Sequence, residues 1–411
     1  MRRTTWLVTT ALAVVTSLSC NALTVAPSTG APSSPTLGPP SPTASPAPLS
    51  PGLTAPPARS AAPSAQPLDG PPRGTVVFGT TRQFPFDGDV QSDFYVFPDT
   101  VVWSSGAWRS TQPPLRPGAG RIQELSLASG QVRTLYTAPS ENSFVTAKAS
   151  LEWLTWLETT DAFGSKDARL YAMSRRGGAP VVIDDVRRYA ATVSFLMWCI
   201  DGPDLYWTVP ELRDGRPVGD LKHKRLPDGP TEVLVPAQPG QIIALPSAYE
   251  GLLAYELRSD TEDARVVVRL PDGTTRNVGT APASEPAVGN GFVAYKQANV
   301  AQTGSLAAMF LADGRVMSLG SGEQPRAGGS WLAWGSWVRD PQDPSSTSPV
   351  FVSNPALGCI ARFKRPLPST NSTISIPAIS GGRAVWMLSD FDKPQLDRQT
   401  LVVDELQNLH C

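Results

Sequence analysis

Hydrolytic or metal chemistry needs a nucleophile, a proton carrier or a ligand set, and this 411-residue chain offers few in usable spacing. It has only two histidines: His223 between Lys222 and Lys224, and His410 beside the last residue. Neither stands at a triad-like spacing from a serine, cysteine or carboxylate. The runs Gly320-Ser321-Gly322 and Gly329-Ser330 do not match the Gly-x-Ser-x-Gly elbow of a serine hydrolase. Asp87-Gly88-Asp89 with Asp93 supplies part of a calcium loop but lacks its spacing and its terminal bidentate glutamate. Asp260, Glu262 and Asp263 form one acidic loop, and Asp340 with Asp343 another. A glycosidase needs two carboxylates about 5–9.5 Å apart, and linear spacing does not bring these pairs there, so both loops read as solvated connections. No glycine-rich phosphate loop joins a strand to a helix. The expectation is no catalytic residue, no metal site and no cofactor.

The four cysteines, Cys20, Cys199, Cys359 and Cys411, match no zinc or haem spacing. Cys20 closes an export signal: Arg2-Arg3, an apolar stretch from Trp6 to Leu18, then Ser19-Cys20. The stretch is too short to span a bilayer and has the charged flank of a signal peptide. Ser17-Leu18-Ser19-Cys20 resembles a bacterial lipobox, with serine where leucine or valine is usual, and predicts lipidation at Cys20. Cleavage after Ala22, leaving a secreted chain without lipid, is the alternative. Residues 21–73 are dominated by Pro, Ala, Ser and Thr. That composition cannot bury enough apolar surface to offset ordering and predicts a disordered tether. Cys359 and Cys411 fall near the chain end, where a disulfide suits an oxidising compartment. Cys199, in Met197-Trp198-Cys199-Ile200, reads as a small buried hydrophobe.

Charged residues make up 17% of the chain and the formal net charge is −1. Nucleic-acid binding demands a basic stripe, so no nucleic-acid partner is expected. Arg175-Arg176, Arg187-Arg188 and Lys222 to Arg225 read as charged, solvated strand edges.

The elements that must position all this come from a repeat. Trp103, Trp156, Trp207, Tyr255, Tyr295, Trp334 and Trp386 recur 39 to 53 residues apart. Each ends an apolar run just after a turn-forming pair, as in Glu250-Gly251 before Leu253-Ala254-Tyr255. About 18 to 27 residues later comes a second turn signal, such as Asp272-Gly273 or Asp313-Gly314, between runs that alternate like strands. Asp-Gly in that setting marks a tight hairpin. One unit therefore reads as inner, second and third strand, hairpin and fourth strand: a four-stranded antiparallel blade. Such a sheet cannot bury both faces alone, so blades stack about an axis with the aromatics as inter-blade core. Units fall at about 94–137, 142–183, 193–236, 241–279, 284–320, 323–366 and 374–411. The predicted fold is all-β, a β-propeller of seven four-stranded blades over residues 74–411, with six or eight as alternatives. The last unit is one strand short, and Thr75–Phe78 is the candidate to complete it.

The grammar of turn, Gly-Gly, apolar, Ala, Trp, then a strand and an Asp-Gly hairpin resembles the TolB-like, WD40-like propellers of bacterial envelope proteins. The Trp-Asp dipeptide of WD40 repeats is absent from every unit, so the resemblance implies a fold and an extracytoplasmic address and transfers no site residue. Function is expected in long insertions on a rigid scaffold: Ser104 to Gly120 in the first unit, Pro210 to Leu221 in the third, and Trp337 to Pro349 in the sixth. Trp and Arg are typical interface anchors, which singles out Trp108, Arg109, Trp337 and Arg339 as ligand-binding candidates, with loop packing as their plainer role. The expected function is non-catalytic binding of an envelope protein, peptide or polysaccharide on a membrane- and lipid-anchored scaffold. The alternatives are a carbohydrate-active hydrolase or lyase with carboxylates at the channel mouth, and a self-assembling structural component of the envelope.

Overall fold

The computed structural model describes residues 73–410 apart from 87–88, 91–92, 107–118, 142, 161–166, 190–195, 281, 300–301, 337–348 and 394–397. All of them belong to one compact unit, Pro63–Cys411. Among the described residues every regular element is a β-strand except two single 3-10 turns.

The chain enters on β1 (Arg73–Pro85) and then lays down sheets in sequence order. Sheet one is β2 (Asp89–Val90) and β3 (Tyr95–Val96), both on β4 (Thr100–Gly106), followed by β5 (Arg121–Ser126) and β6 (Val132–Thr137). Sheet two is β7 (Phe144–Ala149), β8 (Trp153–Thr159), β9 (Arg169–Ser174) and β10 (Val181–Asp185). Sheet three starts with β11 (Met197–Asp201) and β12 (Asp204–Thr208). A separate hairpin, β13 (Glu211–Arg213) with β14 (Arg216–Val218), intervenes before β15 (Leu221–Arg225) and β16 (Thr231–Val235) complete it. Sheet four is β17 (Gln241–Tyr249), β18 (Leu252–Ser259), β19 (Arg265–Arg269) and β20 (Thr275–Val278). Sheet five is β21 (Ala283–Gly289), β22 (Phe292–Asn299), β23 (Gln302–Phe310) and β24 (Val316–Ser321).

The last two units merge. The meander β25 (Glu323–Gly328), β26 (Trp331–Gly335), β27 (Val350–Asn354) and β28 (Cys359–Arg362) joins β1 through a short parallel pairing, Arg73 with Ile360 and Gly74 with Ala361. On its other edge β1 runs antiparallel to β32 (Gln399–His410), from Thr75 opposite His410 to Pro85 opposite Thr400. Then come β31 (Arg383–Asp390), with β29 (Ser372–Ile374) and β30 (Ala378–Ser380) side by side on its far edge. The strand missing from the last unit is thus supplied by the start of the domain, over a longer run than Thr75–Phe78. One mixed nine-stranded sheet replaces two separate ones.

Successive sheets lie side by side along their early strands: β4 by β7, β7 by β11, β11 by β17, β17 by β21, β21 by β25, β25 by β30, and β30 by β3, which pairs with β4. The architecture is all-β and propeller-like. Its core is what the repeat predicts, because every repeat aromatic is buried between sheets. Within a sheet these aromatics also stack on the neighbouring strand, Trp156 on Tyr171 at 5.3 Å and Trp334 on Phe351 at 5.7 Å. Burying an aromatic removes about 150–250 Å² from water, so these positions dominate the packing.

Candidate functional site

Topology decides where function can sit. In each unit the second-to-third strand connection emerges on the same rim. The described strand ends flank all three predicted insertions there: Gly106 and Arg121, Gly335 and Val350, and the β13–β14 hairpin itself. Trp108, Arg109, Trp337 and Arg339 lie outside the described residues, as do Cys20, Asp87-Gly88 and Asp340 with Asp343. The hairpin turns at Asp214-Gly215, both at positive φ. Arg213 braces it against Glu211 at 2.7 Å and Asp220 at 2.8 Å. Beside it on this rim, sheet two forms a cavity of about 220 Å³ lined by Ser143, Glu158, Thr160, Arg169 and Tyr171. Tyr136 donates to Glu158 at 2.6 Å, and Arg187 holds the Asp185 carboxyl at about 2, below the ordinary carboxylate value.

A second set of groups converges where the inner strands meet. Arg326 on β25 pairs with Asp93 of the first unit at 2.6 Å and donates to the Ile376 carbonyl of the last at 2.8 Å. Lys148 on β7 donates to the Trp198 carbonyl of the third sheet at 2.6 Å and lies 5.1 Å over that indole. Burial pushes the Lys148 amine down, although Cys199 and Asp93 oppose the shift. Burial, then the charge of Asp93, raises the Tyr95 hydroxyl. Burial lifts the Cys199 thiol to about 12, so it stays protonated and inert, as its reading as a small hydrophobe requires.

The inner strands of units four to six share a feature that the repeat signal did not reveal. Leu245, Glu285 and Gln324 each precede a proline and each adopts positive φ, at 46°, 52° and 55°. At these bulges the strand amide turns away from its ladder partner and is caught by the preceding sheet. Glu285 N donates to Glu256 at 3.3 Å, and Gln324 N to Glu285 at 3.0 Å. Lys296 lies 3.3 Å from both Glu285 and Glu323 and binds the two carboxylates together. The signal was legible as Leu245-Pro246, Glu285-Pro286 and Gln324-Pro325, one repeat apart, because a residue before proline is restricted and proline removes a ladder donor.

Other ionisable groups tie sheets together. Asp184, at the end of β10, accepts from Trp207 of the next sheet at 2.7 Å, from Tyr189 at 2.7 Å and from Lys222 at 3.2 Å. Asp404 accepts from Trp386 at 2.7 Å and Thr81 at 2.7 Å, and pairs with Arg365. His223 stacks on Tyr206 at 5.0 Å and bridges Asp204 and Glu232, each at 2.9 Å. One residue in each of two clusters read as solvated strand edges turns out otherwise, while Arg176 and Arg225 are exposed. Arg175 is buried against Glu124 and Phe97, and Lys222 is mostly covered beside Asp184. A cation with a carboxylate and a ring to meet is drawn into the seam between sheets. The loop of Asp260, Glu262 and Asp263 is exposed, as expected.

No family model and no curated protein sequence matches this chain. The likeness is to solved structures at low identity. An oligogalacturonate lyase in complex with manganese aligns at 11% identity and TM-score 0.50, over 82% of this chain and 99% of its own. A prolyl endopeptidase aligns at 11% identity and TM-score 0.52, over 81% of this chain but only 50% of its own, so this chain spans half that enzyme's length. TolB from Acinetobacter baumannii aligns over 75% of this chain and 81% of its own at 10% identity and TM-score 0.38, too loosely to carry an argument. These matches show a shared propeller-like fold and nothing of chemistry. No helix among the described residues is long and apolar enough to cross a membrane, which leaves β-barrels aside.

Proposed function

We propose that this chain is an exported, Cys20-lipidated, seven-bladed TolB-like propeller. In this reading its insertion rim binds an envelope protein, peptide or polysaccharide without catalysis. The observation that carries the reading is that the segments holding Trp108, Arg109, Trp337 and Arg339 all leave the same rim as the β13–β14 hairpin. A rigid stack of sheets there would present several loops to one partner. Spending Asp93, Asp184, Glu256 and Asp404 on ties between elements supports a scaffold, since each is held by donors of the fold itself. The unbroken chain of neighbouring inner strands supports seven blades, with β1 completing the last.

A disulfide between Cys359 and Cys411 belongs to the same proposal. Cys359 is disulfide-bonded, and Cys199 is free and buried. The Cys359 sulfur and the His410 carbonyl both crowd the point where a side chain on Gly74 would begin, which supports Cys411 as the partner.

The rival reading, a carbohydrate-active hydrolase or lyase, draws on the convergence of Asp93, Tyr95, Lys148 and Arg326 near the axis. The test is affinity capture from detergent-solubilised envelope with the domain from residue 74. A reproducible protein partner that disappears with Trp108→Ala and Trp337→Ala supports the binding reading. Retention of glycans without any protein partner defeats it and directs attention to Asp93 and Lys148.

A further inference from the structure

On the rim opposite the insertions, sheets one and two part around a cavity of about 470 Å³, within the ~300–1,000 Å³ usual for ligand sites. Its floor is Arg175, whose side chain is 9% exposed. One terminal nitrogen donates to the carbonyls of Ser150 and Leu151, at 3.2 and 3.1 Å. The other donates to Thr100 Oγ1 at 2.8 Å and to Glu124. The ring of Phe97 lies 4.1 Å from the guanidinium carbon. Nε is buried and finds no acceptor among the described residues. This cation is therefore locked before any ligand arrives, which lowers the ordering cost of binding.

Arg133 reaches Glu124 at 2.5 Å and is 65% exposed. Arg176 is exposed and forms no ion pair among the described residues. Three arginines thus face two carboxylates, Glu124 and Asp99, and Glu124 already serves two of the three. The wall beside this positive surplus is apolar: Phe97 and Pro98 from sheet one and Leu151 from sheet two, the last 66% exposed. β6, which carries Arg133, is the outermost strand of its sheet, so the cleft is open at its outer end to a chain running through it.

We propose that this cleft binds an extended peptide segment in which a carboxylate side chain adjoins an apolar one. The carboxylate meets the forks of Arg176 and Arg133, which match its two oxygens. The apolar neighbour covers Leu151 and Phe97. A small inorganic anion would leave that wall exposed to water, and a basic peptide would meet like charge.

The test is fluorescence anisotropy of the full chain with a labelled hexapeptide of alternating glutamate and leucine. Controls replace every glutamate by glutamine, or every leucine by serine. The parent peptide should bind, with each control at least about tenfold weaker, a difference of ~1.4 kcal/mol. Arg176→Glu and Leu151→Asp should weaken the parent about tenfold, and their exposure should leave the thermal midpoint unmoved. Failure of the parent to bind, equal binding of the glutamine peptide, or indifference to Arg176→Glu in folded protein overturns the proposal. Trp108→Ala with Trp337→Ala should leave this binding intact. A loss with that pair would assign the peptide to the insertion rim and overturn the site, so the two rims fail independently.

Discussion

Asp404 is fully buried and held by an indole, a hydroxyl and a guanidinium. Replacing it with alanine strands the largely covered Arg365 charge and the buried Trp386 donor together, so Asp404→Ala should cost about 3 kcal/mol, read as a lower urea midpoint. Asp185 makes a pH prediction. Its folded-state value, about 2, lies below the ordinary 3.8 because Arg187 donates to it. The stabilisation is therefore complete above pH 3.8 and fades as pH falls towards 2. Arg187→Ala should raise the Asp185 titration midpoint, followed by NMR, and remove that part of the acid sensitivity. At this scale the sequence was partly legible. The repeat aromatics read correctly as core because their spacing is periodic. The Trp–Asp contacts did not, because the carboxylates for Trp207 and Trp386 lie 23 residues upstream and 18 downstream, where no dipeptide could announce them. Arg175 was misread because adjacent charges look solvated in one dimension, whereas its Glu124 partner is 51 residues away.

Elements were the most legible level. Asp272-Gly273 and Asp313-Gly314 marked real hairpins, since positive φ at Gly273 and Gly314 makes glycine the residue of least strain there. What escaped was the close approach of inner strands. A side chain on Gly328 would overlap the Ile379 carbonyl of the next unit, and this glycine has ordinary φ. Gly328→Ala should therefore part β25 from β30 and cost at least ~2–3 kcal/mol, with amide exchange rising first in those two strands. Gly314→Ala, whose side chain would meet open space but whose φ is 73°, should cost only about 1 kcal/mol. Equal losses at both sites would show that strain, not approach, governs this seam. The proline bulges at Glu285 and Gln324 went unread for a related reason: periodicity identifies a strand but not where its amides are redirected to a neighbour.

For the molecule as a whole, the proposed Cys359–Cys411 bridge closes a loop of about fifty residues, for which the chain-entropy estimate is ~4 kcal/mol. Reduction, or Cys411→Ser, should lower the unfolding free energy by that amount. A mass spectrum of tryptic fragments without the linked pair would refute the pairing. Cys20→Ala should release the protein from membranes into the soluble fraction, and a variant that stays in the membrane pellet would refute lipidation. Global organisation was legible as far as the repeat reached. The sharing of β1 between two units was only half legible, because Thr75–Phe78 announced a strand while its parallel contact with β28 depends on chain ends meeting in space.

That placement of β1 has a mechanical consequence. Tension between the chain preceding Arg73 and the Gln399 end of β32 enters β1 beside Cys359 and His410 and draws the two antiparallel strands lengthwise past each other. The ladder to β32 is then loaded in shear, its hydrogen bonds sharing the force, and is not peeled open one pair at a time. A force applied across the strands would unzip the same contacts in succession. Single-molecule extension between the N-terminal side and Gln399 should rupture at higher force than extension between the N-terminal side and His410, because forced unfolding is governed by the unfolding rate along the pulled coordinate. The same strand that completes a sheet would then be the domain's point of resistance to being dragged.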